Sequence, residues 1–310
     1  MNPLSITGFT NLGYRLHARA FEPITADLTG RTAVVTGATG GLGLAAAGGL
    51  ARLGARVLIV GRNPEKLKAA AADIGGDVAP IETDLSLMSE VREMAGMLLT
   101  TEPRIDVLVN NVGVLRPERE MTTEGLEMTL AVDLAGHFLL TNLLLPLLVE
   151  SAPARVINVT SGGMYAERIR PHDLQSEMGE YKGAAAYARA KRGQVILTSM
   201  WAERLKGTGV TVHAMHPGWA RTAGVAGSLP TFDKLMRPLL RSPAEGADTI
   251  VWLAADPEPA ATTGRLWFDR RVVGEHMTDR TRESADERRA LWDGLVEITG
   301  VDFPVSIGAS

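Results

Sequence analysis

Short β-branched runs alternate with helix-length amphipathic stretches along most of this 310-residue chain. Such strands, apolar on both faces and separated by helices, are typical of a parallel sheet that helices cover on each side. We therefore predict an α/β fold with a single, doubly wound parallel sheet. The predicted strands are Ala33–Thr36, Arg56–Val60, Val78–Ile81, Ile105–Val109, Arg155–Thr160 and Val210–Met215. The predicted helices are Leu42–Leu53, Pro64–Ile74, Ser86–Thr100, Val132–Val149 and Ala184–Leu205.

No domain boundary is predicted within residues 30–310, because the alternation continues through a helix near Ala244–Ala255 to a strand near Arg265–Phe268. Residues 1–29 precede this pattern and are expected to form an N-terminal arm.

In that arm, Phe9, Leu12 and Leu16 recur at helical spacing. The stripe spans only one or two turns and is only mildly basic. We expect it to pack onto the domain rather than to bind a membrane surface.

Composition and charge exclude several classes of protein. Apolar residues make up 45% and charged residues 22%, which is typical of a globular chain. The 32 basic and 36 acidic residues give a net charge of -4, so no binding of nucleic acid is expected. The absence of cysteine excludes disulfides and thiol nucleophiles. The oligomeric state stays open, a homo-oligomer included.

No membrane span is expected. The longest apolar stretch, Phe138–Val149, contains Asn142 and Pro146, and it is much shorter than the roughly 20 residues that cross a bilayer. The segment Met1–Thr10 lacks the charge and hydrophobic pattern of a secretory signal. We therefore expect a cytoplasmic protein.

A glycine-rich turn, Thr36-Gly37-Ala38-Thr39-Gly40-Gly41-Leu42-Gly43, follows the first predicted strand and opens the first helix. Glycines permit the tight turn and let backbone N–H groups approach a pyrophosphate, and the helix start adds positive charge. This context favours a dinucleotide site over a structural turn. Its candidate residues are Gly37, Thr39, Gly40, Gly41, Leu42 and Gly43.

The end of the second strand favours NADP(H) over NAD(H). An NAD site places an acid there for the ribose 2′-OH, whereas this strand ends Val60-Gly61-Arg62-Asn63. The Arg62 guanidinium suits a 2′-phosphate, with Asn63 beside it. The alternative is that Arg62 is a solvated loop residue that caps the next helix.

Tyr187 and Lys191 lie four residues apart and share one helix face. A phenol has a pKa of about 10, and a nearby ammonium favours its phenolate. Lys191 is therefore expected to stabilise the Tyr187 phenolate. Ser161 follows a predicted strand, and its hydroxyl would orient a substrate carbonyl while Tyr187 donates the proton and a nicotinamide supplies the hydride.

Two further motifs occur in the chain, Asn110-Asn111-Val112-Gly113 and Pro217-Gly218-Trp219-Ala220-Arg221-Thr222. Together with the glycine-rich turn, Ser161, Tyr187 and Lys191, their order and spacing make residues from about 30 to 270 resemble the short-chain dehydrogenase/reductase family. The resemblance implies a Rossmann-type domain of about seven parallel strands and a small-molecule carbonyl or alcohol substrate. It implies cofactor contacts from Asp84 and Leu85 at the adenine, from Asn110 and Gly113, from Tyr187 and Lys191 at the ribose, and from Pro217, Gly218 and Thr222 at the nicotinamide.

One position departs from the family pattern. Asp133 stands where the family usually has an Asn, whose backbone carbonyl is thought to hold a relay water. Asp133 keeps that carbonyl and loses a side-chain donor, so we retain it among the catalytic candidates Ser161, Tyr187 and Lys191. Its negative charge, if near the site, is expected to raise the pKa of Tyr187. The alternative function is a catalytically weak nucleotide-binding sensor or partner-binding module.

The substrate is expected to be lipophilic. Ser161 and Tyr187 are 26 residues apart, so an extra segment lies beside the site. A substrate lid is predicted within residues 218–243, with an apolar face formed by Leu229, Phe232, Leu235, Met236 and Leu239. No metal site is predicted, because His213 and His216 lack an acid partner at zinc-like spacing.

Overall fold

The computed structural model describes residues 7–221, 234 and 236–308. Within them, the centre of the fold is an eight-stranded sheet of order β3-β2-β1-β4-β5-β6-β7-β8. Its strands are β1 (Thr32–Thr36), β2 (Arg56–Gly61), β3 (Val78–Glu82), β4 (Val107–Asn110), β5 (Ala154–Val159), β6 (Val210–Met215), β7 (Arg265–Phe268) and β8 (Arg271–Val272). The doubly wound α/β prediction is confirmed.

The first seven strands are parallel, and β8 returns antiparallel beside β7. The eighth strand is the small difference from the expected seven. It forms because Asp269 and Arg270 adopt positive φ values of 50° and 56°, which reverse the chain within two residues.

Helices cover both faces of the sheet. The longer ones are α1 (Asn11–His17), α2 (Gly41–Arg52), α3 (Pro64–Ile74), α4 (Met88–Thr101), α6 (Gly136–Glu150), α7 (Gly183–Arg204), α8 (Pro243–Ala255) and α10 (Ala285–Thr299). The short ones are α5 (Met128–Leu130), α9 (Pro257–Ala260) and α11 (Val305–Gly308). Alternate strand residues point to opposite faces of the sheet. Val34 belongs to the apolar layer that includes residues of α4, α6, α7 and α10, whereas Val35 belongs to the layer that includes residues of α2, α3 and α8.

The helix predicted at Val132–Val149 is interrupted near its start. Residues Ala131–Ala135 form a π-helical turn between α5 and α6. Single π-helical turns of this kind occur frequently at functional sites. Asp133 lies inside this turn, so the departure from the family pattern coincides with a local change of helix geometry.

Within the described residues, one helical stretch, Met128–Glu150, is long and apolar enough to span a membrane by composition. However, 83% of the most apolar 18-residue segment of this stretch is buried inside the fold. This burial explains its apolar sequence as that of a core helix covering the sheet.

The N-terminal arm packs onto the domain through Phe9, but not through the two leucines of its predicted stripe. Phe9 is buried, whereas Leu12 and Leu16 are 57% and 37% exposed. The buried residues of α1 are Gly13 and His17. The expectation is therefore wrong for both leucines, because the arm docks through the Phe9 ring, its backbone carbonyls and the contact of His17 with Asp269 rather than through an apolar helix face.

Candidate active site

The glycine-rich turn connects β1 to α2, and no side chain caps the start of this helix. Gly37 and Gly41 have φ values of +66° and +57°, a left-handed conformation that favours glycine. A Cβ at Gly43 would lie 2.4 Å from the Gly37 carbonyl oxygen. At Gly40 a Cβ would meet no described residue within 4 Å beyond its chain neighbours. The backbone N–H groups of this helix start are therefore accessible to a pyrophosphate, which fits a dinucleotide.

Two side chains of the turn support its packing. Thr39 Cγ2 lies 2.9 Å from a Cβ built on Gly61, and Leu42 Cδ2 lies 2.5 Å from one built on Gly246. Any larger residue at either glycine would push these side chains away. Thr39 and Leu42 thus hold the turn against β2 and α8.

Asn111, which the sequence reasoning missed, ties the turn to the end of β4. Its side-chain amide donates to the Thr36 carbonyl at 2.7 Å, and its backbone N–H donates to the Thr36 hydroxyl at 2.9 Å. The predicted cofactor residue Asn110 faces the other way. It is fully buried and its amide donates to Thr141 and Asn158, so only its backbone is left for a cofactor. The two consecutive asparagines indicated in the sequence that one of them contacts the glycine-rich turn. Because successive side chains of a strand point to opposite faces, the pleat of β4 decides that this residue is Asn111.

Arg62 follows β2 with its side chain 62% exposed, and its guanidinium lies 3.9 Å from a carboxylate oxygen of Asp84. The adjacent Asn63 caps α3 by accepting a hydrogen bond from the Lys66 N–H at 2.8 Å. The capping role considered for Arg62 therefore belongs to Asn63. The guanidinium is left exposed to solvent and to ligands.

Asp84 and Leu85 form a rigid turn after β3. Asp84 accepts a hydrogen bond from the Ser86 N–H at 2.9 Å, and its own N–H donates to Glu90 at 2.7 Å. Leu85 is buried, and its carbonyl oxygen would lie 2.7 Å from a Cβ on Gly136. The family resemblance places the adenine at this turn, at the carboxyl end of the sheet.

Ser161 and Tyr187 come together beside the carboxyl end of β5. Ser161 accepts a hydrogen bond from the Gly163 N–H at 3.2 Å, which starts a short 3-10 helix, Gly162–Tyr165. Its hydroxyl also hydrogen-bonds to the phenol of Tyr187 on α7. The two predicted catalytic hydroxyls are therefore adjacent, as concerted proton transfer to one substrate oxygen requires.

Lys191 lies one turn further along α7, and its side chain is only 3% exposed. Its ammonium donates to the Val159 carbonyl at 3.2 Å and lies 5.6 Å from the centroid of the Tyr187 ring. Its backbone carbonyl accepts from the Thr160 hydroxyl at 2.7 Å. Val159 at the end of β5 and the next residue, Thr160, thus hold the lysine in place, and Ser161 follows them directly in the chain.

Asp133 places a carboxylate next to this ammonium. Its Oδ2 lies 3.9 Å from Lys191 Nζ, and its Oδ1 accepts from the Val114 N–H at 2.7 Å. Its backbone carbonyl, the expected holder of a relay water, accepts from the Gln194 amide at 2.8 Å. That amide also lies 2.7 Å from His137 Nδ1. No spacing in the sequence indicates Gln194 or His137, because their contacts join α7 to the π-helical turn and to α6.

Burial dominates the electrostatics of this group. Burial raises the pKa of Tyr187 well above its usual range, the negative charge of Asp133 raises it further, and the hydrogen bond from Ser161 lowers it. Burial raises the pKa of Asp133 to about 7, against the effect of Lys191. Burial lowers the pKa of Lys191, and Asp133 opposes that change. The expected rise caused by the Asp133 charge is present, and desolvation, the larger cause, outweighs the expected stabilisation of the phenolate by Lys191.

Gly113 fits a position beside a bound cofactor. A Cβ there would lie 3.0 Å from Lys191 Nζ and 3.3 Å from Asp133 Oδ1. Gly113 is itself exposed, so its backbone forms an open surface directly over the buried ion pair. A side chain at this position would displace the Lys191 ammonium, so the glycine keeps that group in place beneath a backbone surface that a cofactor can approach.

The predicted nicotinamide end is described in part. Pro217 is buried after β6, and Gly218 has a φ of +72°. A Cβ at Gly218 would lie 2.7 Å from Arg241 Nε and 2.8 Å from the Phe9 carbonyl. Thr222 lies outside the described residues, together with the rest of the predicted lid at residues 223–233 and 235. In the described part of that lid, Met236 is half-buried and Leu239 is 41% exposed.

Comparison with known proteins agrees with this arrangement. Residues 31–231 match the short chain dehydrogenase family. The chain belongs to the short-chain dehydrogenase/reductase family. Members of this family transfer hydride between NAD(P) and an alcohol or carbonyl, so the protein is an oxidoreductase that acts on CH–OH groups.

Two relatives within the family are similar over nearly the whole chain. Human retinol dehydrogenase 13 is 37% identical over 91% of this chain and 88% of its own length. Human dehydrogenase/reductase SDR family member 12 is 34% identical over 91% of this chain and 92% of its own.

Solved structures of family members share the fold. An uncharacterized protein from Mycobacterium paratuberculosis is 30% identical, with a TM-score of 0.75 over 91% of this chain and 97% of its own. RhlG of Pseudomonas aeruginosa in complex with NADP is 30% identical, with a TM-score of 0.65 over 79% of this chain and 96% of its own.

Proposed function

We propose that this dehydrogenase/reductase uses NADP(H) in preference to NAD(H) and reduces a lipophilic aldehyde or ketone. The observation that carries the cofactor preference is the exposed guanidinium of Arg62 at the end of β2, where an NAD site requires an acid. Asn63 is engaged as a helix cap, so it does not compete with Arg62 for a phosphate. The NADP bound to the structural relative RhlG agrees with this preference.

The chemistry assigns one role to each side chain. The dihydronicotinamide, when bound, supplies a hydride to the carbonyl carbon. Ser161 donates a hydrogen bond to the carbonyl oxygen, and Tyr187 donates the proton that this oxygen needs as it becomes an alkoxide. Lys191 then stabilises the Tyr187 phenolate until a proton from solvent replaces the one that left.

Tyr187 is held in its protonated form. Burial and the charge of Asp133 both raise the pKa of this phenol. The protonated phenol is the form that carbonyl reduction uses, whereas oxidation of an alcohol uses the phenolate.

The lipophilic substrate is inferred from two features. Human retinol dehydrogenase 13, a relative, is named for a lipophilic alcohol. In addition, the half-buried ring of Trp219 stacks at 5.8 Å on the buried ring of Phe9, beside the loop that carries Ser161. An apolar substrate group gains from contact with such rings because it leaves water.

The test is a screen of short and long aldehydes and ketones with NADPH and with NADH, followed by nicotinamide absorbance. The expected result is turnover that is faster with NADPH and increases with the apolar size of the substrate. Equal rates with both cofactors would contradict the preference, and turnover confined to small polar carbonyls would contradict the substrate class.

Asp133 favours a second candidate, a nucleotide-binding sensor with weak catalysis. Its carboxylate beside Lys191 compensates the charge that would stabilise the phenolate. This function predicts tight binding of NADPH, measured by fluorescence, without turnover of any carbonyl in the same screen.

A further inference from the structure

The N-terminal arm covers the carboxyl ends of β6 and β7, next to the catalytic loop. The ring of Phe9 lies 5.3 Å from His216, which follows β6, and 5.4 Å from Phe268, which ends β7. It is stacked 5.8 Å from the ring of Trp219. In doubly wound folds, ligands bind outside this edge of the sheet. Phe9, which is 8% exposed, therefore lies at the edge of the sheet where ligands bind in this class of fold.

Phe9 also contacts the loop that carries the catalytic hydroxyl. A Cβ built on Gly162 would lie 3.5 Å from Phe9 Cε1, which is ordinary van der Waals distance. Gly162 is the residue directly after Ser161. Since Ser161 hydrogen-bonds Tyr187, the Phe9 ring is one residue away from the pair that handles the proton.

A buried ion pair holds the arm in this place. The Arg241 guanidinium donates to both carboxylate oxygens of Asp269 and to the carbonyls of Gly8 and Phe9. Both charged side chains are 1% exposed. His17 from α1 adds a contact to the same carboxylate at 2.8 Å. Charges buried so completely keep their geometry, because a broken contact leaves an uncompensated charge.

Main-chain contacts extend this fixation to the loop after β6. The Trp219 N–H donates to the Phe9 carbonyl at 2.9 Å, and the Arg241 N–H donates to the Trp219 carbonyl at 2.7 Å. Gly218 must be glycine here, because a Cβ would strike both Arg241 and the Phe9 carbonyl. The arm, the loop after β6 and the start of α8 thus form one connected wall.

We propose that Phe9, fixed by Arg241 and Asp269, is a specificity-determining residue that forms one wall of the substrate pocket beside Ser161. The proposal rests on the proposed carbonyl reduction and adds the arm to its substrate site. The ring suits a flat or extended apolar group attached to the reacting carbonyl. Its size limits the bulk of that group.

The experiment compares Phe9→Ala and Phe9→Trp with the wild type on benzaldehyde and 2-naphthaldehyde. Phe9→Ala should raise kcat/KM for 2-naphthaldehyde relative to benzaldehyde by about tenfold, because the pocket gains the space of a ring. Phe9→Trp should change the ratio in the opposite direction. Leu12→Ala, at an exposed position of the same arm, is the control and should leave the ratio unchanged. If Phe9→Ala does not fold, Phe9→Leu replaces it with the same expected direction.

A binding measurement separates this proposal from the proposed function. Titration of 2-naphthalenemethanol into each variant with NADPH present gives a Kd that does not depend on turnover, because the alcohol and the cofactor are both already reduced. A Kd that changes for the Phe9 variants and not for Leu12→Ala supports the wall even if no carbonyl is reduced. Unchanged Kd values and ratios, equal changes for both aldehydes, or no binding of the probe by the wild type would overturn it.

Discussion

Lys191 Nζ lies 3.9 Å from Asp133 Oδ2, and the two side chains are 3% and 0% exposed. Charges at this distance interact strongly in a buried setting although they form no direct hydrogen bond. The pair has a catalytic consequence. The ammonium that would favour the Tyr187 phenolate faces a carboxylate that disfavours it.

Asp133→Asn should therefore lower the pKa of Tyr187. Removal of the negative charge favours the phenolate, whereas the amide oxygen can still accept from the Val114 N–H. In carbonyl reduction, Tyr187 must be protonated, so activity is lost as pH rises through its pKa. The basic limb of the kcat/KM profile should move to lower pH in the variant.

The Kd for NADPH and the Tm of both proteins serve as controls for this profile. An unmoved basic limb with intact binding would show that the carboxylate has no electrostatic effect on Tyr187. A large loss of activity at every pH would instead assign Asp133 a role in positioning Lys191.

Tyr187→Phe should abolish turnover and leave the Kd for NADPH within a few-fold of the wild type. The ring and its packing remain, and only the proton-donating hydroxyl is lost. Steady-state rates and fluorescence titration measure the two effects. Tyr181→Phe is the matched control, because its hydroxyl contacts Glu127 rather than Ser161. Retention of most of the rate in Tyr187→Phe would remove this residue from the reaction.

Arg62→Ala should weaken NADPH binding about ten- to a hundredfold, the effect of one charge-assisted contact of roughly 1.5–3 kcal/mol. NADH lacks the 2′-phosphate, so its Kd should hardly change. Lys68→Ala, which removes an exposed charge from the neighbouring helix α3, controls for general electrostatics. Equal losses for both cofactors in Arg62→Ala would show that this side chain does not contact the 2′-phosphate.

Gly113→Ala should lower kcat without unfolding the protein. The added methyl group would lie 3.0 Å from Lys191 Nζ, so the ammonium must move away from its place beneath the cofactor surface. Gly96→Ala is the control, because no described residue outside its own helix surroundings approaches that position within 4 Å. It should keep full activity and gain about 0.5–1 kcal/mol in helix stability. Full activity of Gly113→Ala would contradict the expected position of the cofactor beside Gly113.

The sequence determined the fold and most of the candidate site through local pattern. The alternation of strands and helices predicted the parallel sheet, and the glycine-rich turn lies between β1 and α2 as expected. The four-residue spacing of Tyr187 and Lys191 was enough to place both on one face of α7. These features depend on periodicity and on short motifs, which a sequence displays directly.

Only the tertiary structure decided the electrostatics and the surroundings of the site. The direction of the Tyr187 pKa depends on desolvation and on Asp133, which comes from a π-helical turn far away in sequence. The choice between Asn110 and Asn111 depends on the pleat of β4. The position of Phe9 depends on Arg241, more than two hundred residues away along the chain. Charge burial and long-range contacts arise only when distant segments pack together, so no local pattern contains them.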